Sequence, residues 1–160
     1  MDSLGDLGEF GYIARITRNL PTGDNVVAGA GDDCAVVRHG GRLLLVSCDA
    51  SIEDVHFSRR LAQPVDIGWK TFAAAFSDIA AMGGKPLYAV ASLAVPADTP
   101  LDILDELSRG AQDCVSHCSA LLIGGDTTRS PGPVMLDVTV LGEPVEGRYL
   151  LRSGAQEGDI

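Results

Sequence analysis

Four aspartates far apart in sequence stand where an acid does little for a fold. Asp33 precedes the apolar run 34–37 in GAGDDCAVV, Asp49 follows the run 42–48, and Asp126 follows 120–125 in LLIGGDTT. Strand ends on one edge of a sheet are where ligands gather, although Asp beside Gly also serves plain turns. Asp78 tips the balance. The spacing predicts a helix over 64–82, and Asp78 falls in its last turns, at the negative end of the dipole, where an acid is disfavoured by ~0.3–1 kcal/mol. Its neighbours on the helix surface are Ala74, Ala75, Ala81 and Met82, and no Lys or Arg lies three or four residues away. A carboxylate in apolar surroundings needs a positive partner. A distant arginine is one candidate; a metal ion is the more economical one, because the only lysines are Lys70 and Lys85. Hard divalent cations take oxygen ligands, and magnesium is commonly shared between carboxylates and phosphates. Cations between Asp32 and Asp33 would also let two adjacent acids tolerate each other. The pattern points to a magnesium–phosphate site and leaves the reaction open.

These acids require a scaffold. Phe10, Ile13, Ile16 and Leu20 recur at helical intervals over 8–20. The run 42–49 reads as a buried strand after a His39-Gly40-Gly41 turn, and 86–95, 120–125 and 133–142 read as further strands. The helix at 64 begins with Pro64 and stops at Gly83-Gly84. A third helix over 98–118 has Thr99 as cap, Pro100 in its first turn, and a stripe of Leu101, Leu104, Leu107, Ala111, Val115 and Cys118. The expected class is α+β, a two-layer arrangement with a mixed sheet and helices on one face. Both faces of 86–95 and 42–48 are apolar, and three helices are too few to cover both. The second face therefore predicts a homodimer joined through the sheet.

Hydrophobic residues make up 46% of the 160, enough for a core in one domain. A formal charge of −10 argues against nucleic acid as partner, because phosphate backbones need a positive surface. Met1 is followed by acids, with no basic n-region and no long apolar stretch, so neither a secretion signal nor a membrane span is expected and the cytoplasm is the default. Cys34, Cys48, Cys114 and Cys118 form no CxxC pair; buried, inert thiols are a better account of Cys114 and Cys118 than a zinc site with His117. Glu53 and Asp54 read as solvated, and Trp69 as core or interface. GxxxxGK[ST] is absent, and Gly29-Ala30-Gly31 lacks the third glycine of a dinucleotide loop. A nucleotide would be held through metal, backbone amides of Gly-rich turns and Arg152.

GEFGYI (8–13), GDDCAV (31–36), SCD (47–49), VHF (55–57), SDIAAMGGKP (77–86), GGDTT (124–128) and RSGAQEGD (152–159) occur in the order seen in the thiamine-monophosphate kinase family. This is a branch of the superfamily of aminoimidazole ribonucleotide synthetase, selenophosphate synthetase and a hydrogenase-maturation enzyme. The resemblance covers residue 8 to the end. It implies an amino-terminal domain whose sheets pair into a dimeric barrel. It also implies transfer of the ATP γ-phosphoryl group to thiamine monophosphate. By motif position it implies Asp33, Asp49, Asp78 and Asp126 as Mg²⁺ ligands, with Ser47 and Cys48 adding an oxygen. Gly125, Asp126 and Arg152 would contact ATP, and His56 the thiamine substrate. Cys48 stands where the family carries Ser or Thr, Ala75-Phe76 replaces Asn-Leu, and the tyrosine expected near His117 or Cys118 is missing. Residues 1–152 are expected to form the ATP, metal and dimerisation domain, with 153–160 the start of a second domain.

Overall fold

The computed structural model describes residues 3–20 and 23–159. Its sheet is built from β1 (Val26–Ala28), β2 (Ala35–His39), β3 (Arg42–Ile52), β4 (Gly84–Val95), β5 (Leu121–Arg129) and β6 (Met135–Pro144), in the spatial order β1-β2-β3-β6-β4-β5. Gly40 and Gly41, both at positive φ, close the β2–β3 hairpin as its sequence predicts. Among the described strands, only β4 and β5 pair in parallel, and helix α3 (Leu101–His117) supplies the crossover that parallel strands require.

Alternation decides which face is covered. Leu45, Ser47 and Ser51 of β3 and Leu136, Val138 and Val140 of β6 are buried on one face. Helix α2 (Pro64–Ala81) lays Phe72, Ala75, Phe76 and Ile79 on this face, and α3 packs Ala111, Cys114 and Val115 behind. The two helices touch at backbone distance. A Cβ on Gly68 would stand 2.1 Å from the Leu107 carbonyl oxygen, and one on Gly110 would stand 1.8 Å from that of Val65. A smaller core gathers Phe57, Ile67, Val95, Leu107, Val134 and Leu136. The opposite face is open: Tyr88, Leu121, Ile123 and Met135 are exposed, and β5 is exposed along its whole length.

Several elements depart from expectation. The first helix, α1, spans Leu4–Thr17, is kinked at Gly8 and buries nothing; Phe10 is 81% exposed, so its apolar residues face no core. Its start is a capping box between Ser3 and Asp6 that the apolar spacing did not signal. β3 and β5 run past Asp49 and Asp126, so neither acid ends its strand. Thr99 does not cap α3: Pro100 is the N-cap residue, the buried Thr99 hydroxyl finds no partner among the described residues, and Asp102 accepts from the Ile103 amide instead. Leu101 is exposed, while Gly110 and Cys114 join the buried stripe. Glu53 is not solvated. Its carboxylate takes Arg59 through Nε at 2.6 Å and Nη2 at 3.1 Å, and accepts from the Val134 amide at 3.1 Å, closing the loop after β3 onto the start of β6. Asp54 is exposed, as expected.

Two consequences are measurable. Gly68→Ala and Gly110→Ala should each lower the urea midpoint, by about 1–3 kcal/mol or more of stability, because neither carbonyl can retreat without parting the helices. Gly132→Ala, with nothing within 4 Å, should not. Arg59 holds the Glu53 carboxyl below its usual range. A depressed acid stabilises the fold above its unfolded pKa and loses that contribution as pH falls through the folded value. Glu53→Gln should therefore cost about 1–3 kcal/mol at pH 7. The gap from the parent should close in denaturation curves taken below the normal glutamate range.

Candidate metal and nucleotide site

Asp32 and Asp33 sit in the turn between β1 and β2, at the end of the sheet where the 3-10 turn Arg152–Gly154 folds back. Asp32 accepts from the Asp33 amide at 3.0 Å and from the Arg152 amide at 3.1 Å. The Arg152 guanidinium forks onto both oxygens of Asp33, Nε at 3.3 Å from Oδ2 and Nη2 on Oδ1. That hydrogen bond holds the Asp33 carboxyl below its usual range against the opposing effect of burial. In this state an arginine and two backbone amides separate the paired acids, where the sequence favoured a cation. Asp32, Asp33, Tyr149, Leu151, Arg152 and Asp159 line an open hollow of about 600 Å³.

Asp78 lies behind this turn. The buried Ser47 hydroxyl donates to its Oδ2 across the contact between α2 and β3. Burial pushes the Asp78 carboxyl up, the Ser47 hydrogen bond opposes this, and the charges of Asp49 and Asp33 push it further. Arg152 acts on it only weakly and from a distance; its fork is spent on Asp33. Lys70 donates to the His56 carbonyl and Lys85 is exposed on β4. Among the described residues, no lysine or arginine is bonded to Asp78. The expected distant arginine exists, but it serves the neighbouring acid.

Asp49 shares the helix-side face of β3 with Ser47 and is close enough for its charge to act on Asp78. Cys48, between them, faces the open side, where its thiol meets Asp137 at 3.2 Å. Gly125 and Asp126 lie farther off. In register, Asp49 pairs with Val138, Val138 with Ala91 and Ala91 with Gly125, so β5 lies three strand spacings, roughly 14 Å, from β3. Gly125 is a glycine for a local reason: a Cβ would stand 2.0 Å from the Ala91 carbonyl oxygen. His56 is in the loop after β3, in a separate shallow hollow with Val55, Arg60 and Leu61. The fold thus gathers Asp33, Ser47, Asp49, Asp78 and Arg152, and sets Cys48, Gly125, Asp126 and His56 apart within one chain. Asp137 escaped the sequence reading because its alternation in β6 is that of any open-face strand residue.

The gathered donors are oxygens alone, three carboxylates and a hydroxyl, which suits a hard divalent cation. Among the described residues, no group of three His, Cys, Asp or Glu side chains stands ready-made to hold one. Two of the donors are occupied by internal partners, Asp33 by Arg152 and Asp78 by Ser47. Cys34 and Cys114 are buried in the core, which pushes both thiols up to about 12.

The family model for the AIR synthase related protein, N-terminal domain, matches residues 31–143. The chain is 39% identical over 158 residues to the thiamine-monophosphate kinase of Synechococcus elongatus, covering 98% of this chain and 46% of that one. It is 38% identical over 156 residues to the enzyme of the same name from Bacillus subtilis, covering 96% and 48%. The structure of AaThiL complexed with AMPPCP and TMP superposes with a TM-score of 0.88 at 31% identity, over 99% of this chain and 48% of that one. Thiamine monophosphate kinase from Aquifex aeolicus gives 0.81 at 29%, over 98% and 48%. The chain spans about half the length of the curated relatives it matches. With its six-stranded sheet, its one-sided helix layer and a family match running from Gly31 to Glu143, the chain belongs to the AIR synthase-related amino-terminal domain family.

Proposed function

We propose that this chain is the ATP- and Mg²⁺-binding half of a kinase that moves the γ-phosphoryl group of ATP onto the phosphate of thiamine monophosphate, giving thiamine diphosphate. The observation that carries this reading is the group Asp33, Ser47, Asp49 and Asp78, with Arg152 on its rim. Phosphoryl transfer asks a protein for positioning and charge neutralisation more than for a nucleophile. When bound, Mg²⁺ supplies the positive charge that screens two anionic phosphates from each other. Asp33, Asp49, Asp78 and the Ser47 hydroxyl would hold it. Arg152 then has an anion to bind other than Asp33, a phosphate of ATP, and its planar fork suits that exchange. Gly125 and Asp126 on β5 are proposed ATP contacts and Asp126 a further metal ligand; His56 is the proposed contact to thiamine monophosphate. Cys48 offers a thiol where a hydroxyl would be the better magnesium ligand. Its proton is directed at Asp137, and burial pushes its pKa up, so it adds little to the cation.

We also propose that two copies pair through the open face of the sheet. That face presents exposed Tyr88, Leu121, Ile123 and Met135, and beside them the outer edge of β5 pairs with no other strand among the described residues. Residues 1–152 would be the nucleotide-binding and dimerising unit, acting in the cytoplasm.

Titration of the chain with AMPPCP should show binding that needs Mg²⁺; nucleotide binding indifferent to metal, or metal binding indifferent to nucleotide, would overturn the reading. Asp78→Asn should abolish the metal-dependent part and leave the circular dichroism unchanged. Arg152→Ala should split the two ligands: AMPPCP binds several-fold more weakly, while Mn²⁺ alone binds more tightly because Asp33 has lost its internal partner. In analytical ultracentrifugation the chain should sediment as a dimer, and Val90→Asp, on the open face, should make it a monomer.

A further inference from the structure

His56 sits in the exposed loop between β3 and α2, and that loop is tied down at both ends. Glu53 and Phe57 bridge to each other, the Glu53 amide donates to the Val134 carbonyl at 2.9 Å, and the Asp54 amide donates to the Phe57 carbonyl at 2.7 Å. Phe57 is anchored in the smaller core, and the Glu53–Arg59 fork ties the far end of the loop to its start. Asp54 takes the left-handed conformation (φ 59°), which lets the chain reverse within so few residues. Two contacts then act on His56 itself. Lys70 of α2 donates its ammonium to the His56 carbonyl, and the Ile52 amide donates to His56 Nδ1 at 3.1 Å.

The second contact sets the chemistry of the ring. A nitrogen that accepts from a backbone N–H carries a lone pair and no proton, so the neutral imidazole must be protonated at Nε2. We propose that His56, the contact to thiamine monophosphate in the kinase reading above, is locked as an Nε2–H donor toward that ligand, and that Lys70 and Glu53 are the positioning residues that keep it so. The inference deepens the kinase reading and rests on it for the ligand; the lock itself does not. Lys70 is thereby assigned to the substrate side, although it projects from the same helix as Asp78. One helix then braces both halves of the reaction, a hydrogen bond to the His56 loop near its start and a carboxylate near its end.

The test is long-range ¹H–¹⁵N correlation of the ¹⁵N-histidine-labelled chain above the imidazole titration range, in which only His39, His56 and His117 contribute. Protonated Nε2 and bare Nδ1 at His56 are expected. A mixture of tautomers or an Nδ1–H form in the unmodified chain overturns the lock, with no variant needed. Lys70→Met should give a mixed or exchanging His56 signal, and Lys70→Arg should restore the single tautomer; a Lys70→Met spectrum like that of the parent removes Lys70 from the role. Added thiamine monophosphate should shift Nε2 selectively, and Lys70→Met should weaken its binding about tenfold while metal-dependent AMPPCP binding stays as it was. No shift on adding thiamine monophosphate, with AMPPCP still bound through Mg²⁺, overturns the recognition claim and leaves the nucleotide reading intact.

Discussion

One carboxylate in the wrong place organises this molecule. Asp78 belongs to α2, whose buried residues, Thr71 apart, are the apolar side chains and glycine that pack the core, and it sits where the helix dipole and burial both disfavour charge. The fold meets that cost only in part, with one hydroxyl from Ser47. It then adds Asp49 and Asp33 within electrostatic reach, which raises the cost again. A domain selected for stability alone would place an apolar residue here. Holding a destabilising charge against β3 makes sense if the compensating charge arrives with a ligand, since anything that binds only the folded state adds its binding free energy to stability.

Much of this was legible in the sequence because the signals were local and redundant. Strands β3, β4 and β6 read as apolar runs between turn residues, α2 and α3 as periodic stripes with helix starters and stoppers, and Asp78 as an acid without a partner on its own helix. The misreadings share a cause. Read by local composition alone, the apolar runs stop at Asp49 and Asp126, yet β3 continues through Asp49 because β6 offers it a register as far as Ile52. Glu53 read as solvated because its partners lie outside any helical or strand spacing, Arg59 six residues on across a loop and the Val134 amide 81 residues away. The apolar periodicity of α1 is real, but periodicity states only that a stripe exists. Whether this chain has a surface to receive it is a tertiary fact, and here α1 is exposed.

The site was legible in its membership more than in its geometry. Motif order grouped Asp33, Ser47, Asp49, Asp78 and Arg152, and the fold sets them within hydrogen-bond or electrostatic reach of one another, with no role shown for any of them. The same order grouped Asp126 with them, whereas three strand spacings separate it from Asp49 within one chain. Sequence order carries no lateral distance across a sheet, because strand order need not follow chain order. Nor could it show that Arg152 spends its charge on Asp33, a pairing 119 residues apart.

That mismatch between chain order and strand order has a further effect. β6 is the last strand of this sheet in chain order and one of the most central, wedged between β3 and β4, with Val138 and Val140 fully buried. As the chain emerges from the ribosome, β3 and β4 have no common neighbour until residue 144 has appeared, and the apolar face of α2 has an incomplete floor. Everything before β6 must wait, collapsed but unsealed, and the step that seals it is an insertion into a gap. Vectorial synthesis therefore leaves this domain a late, all-or-nothing closure.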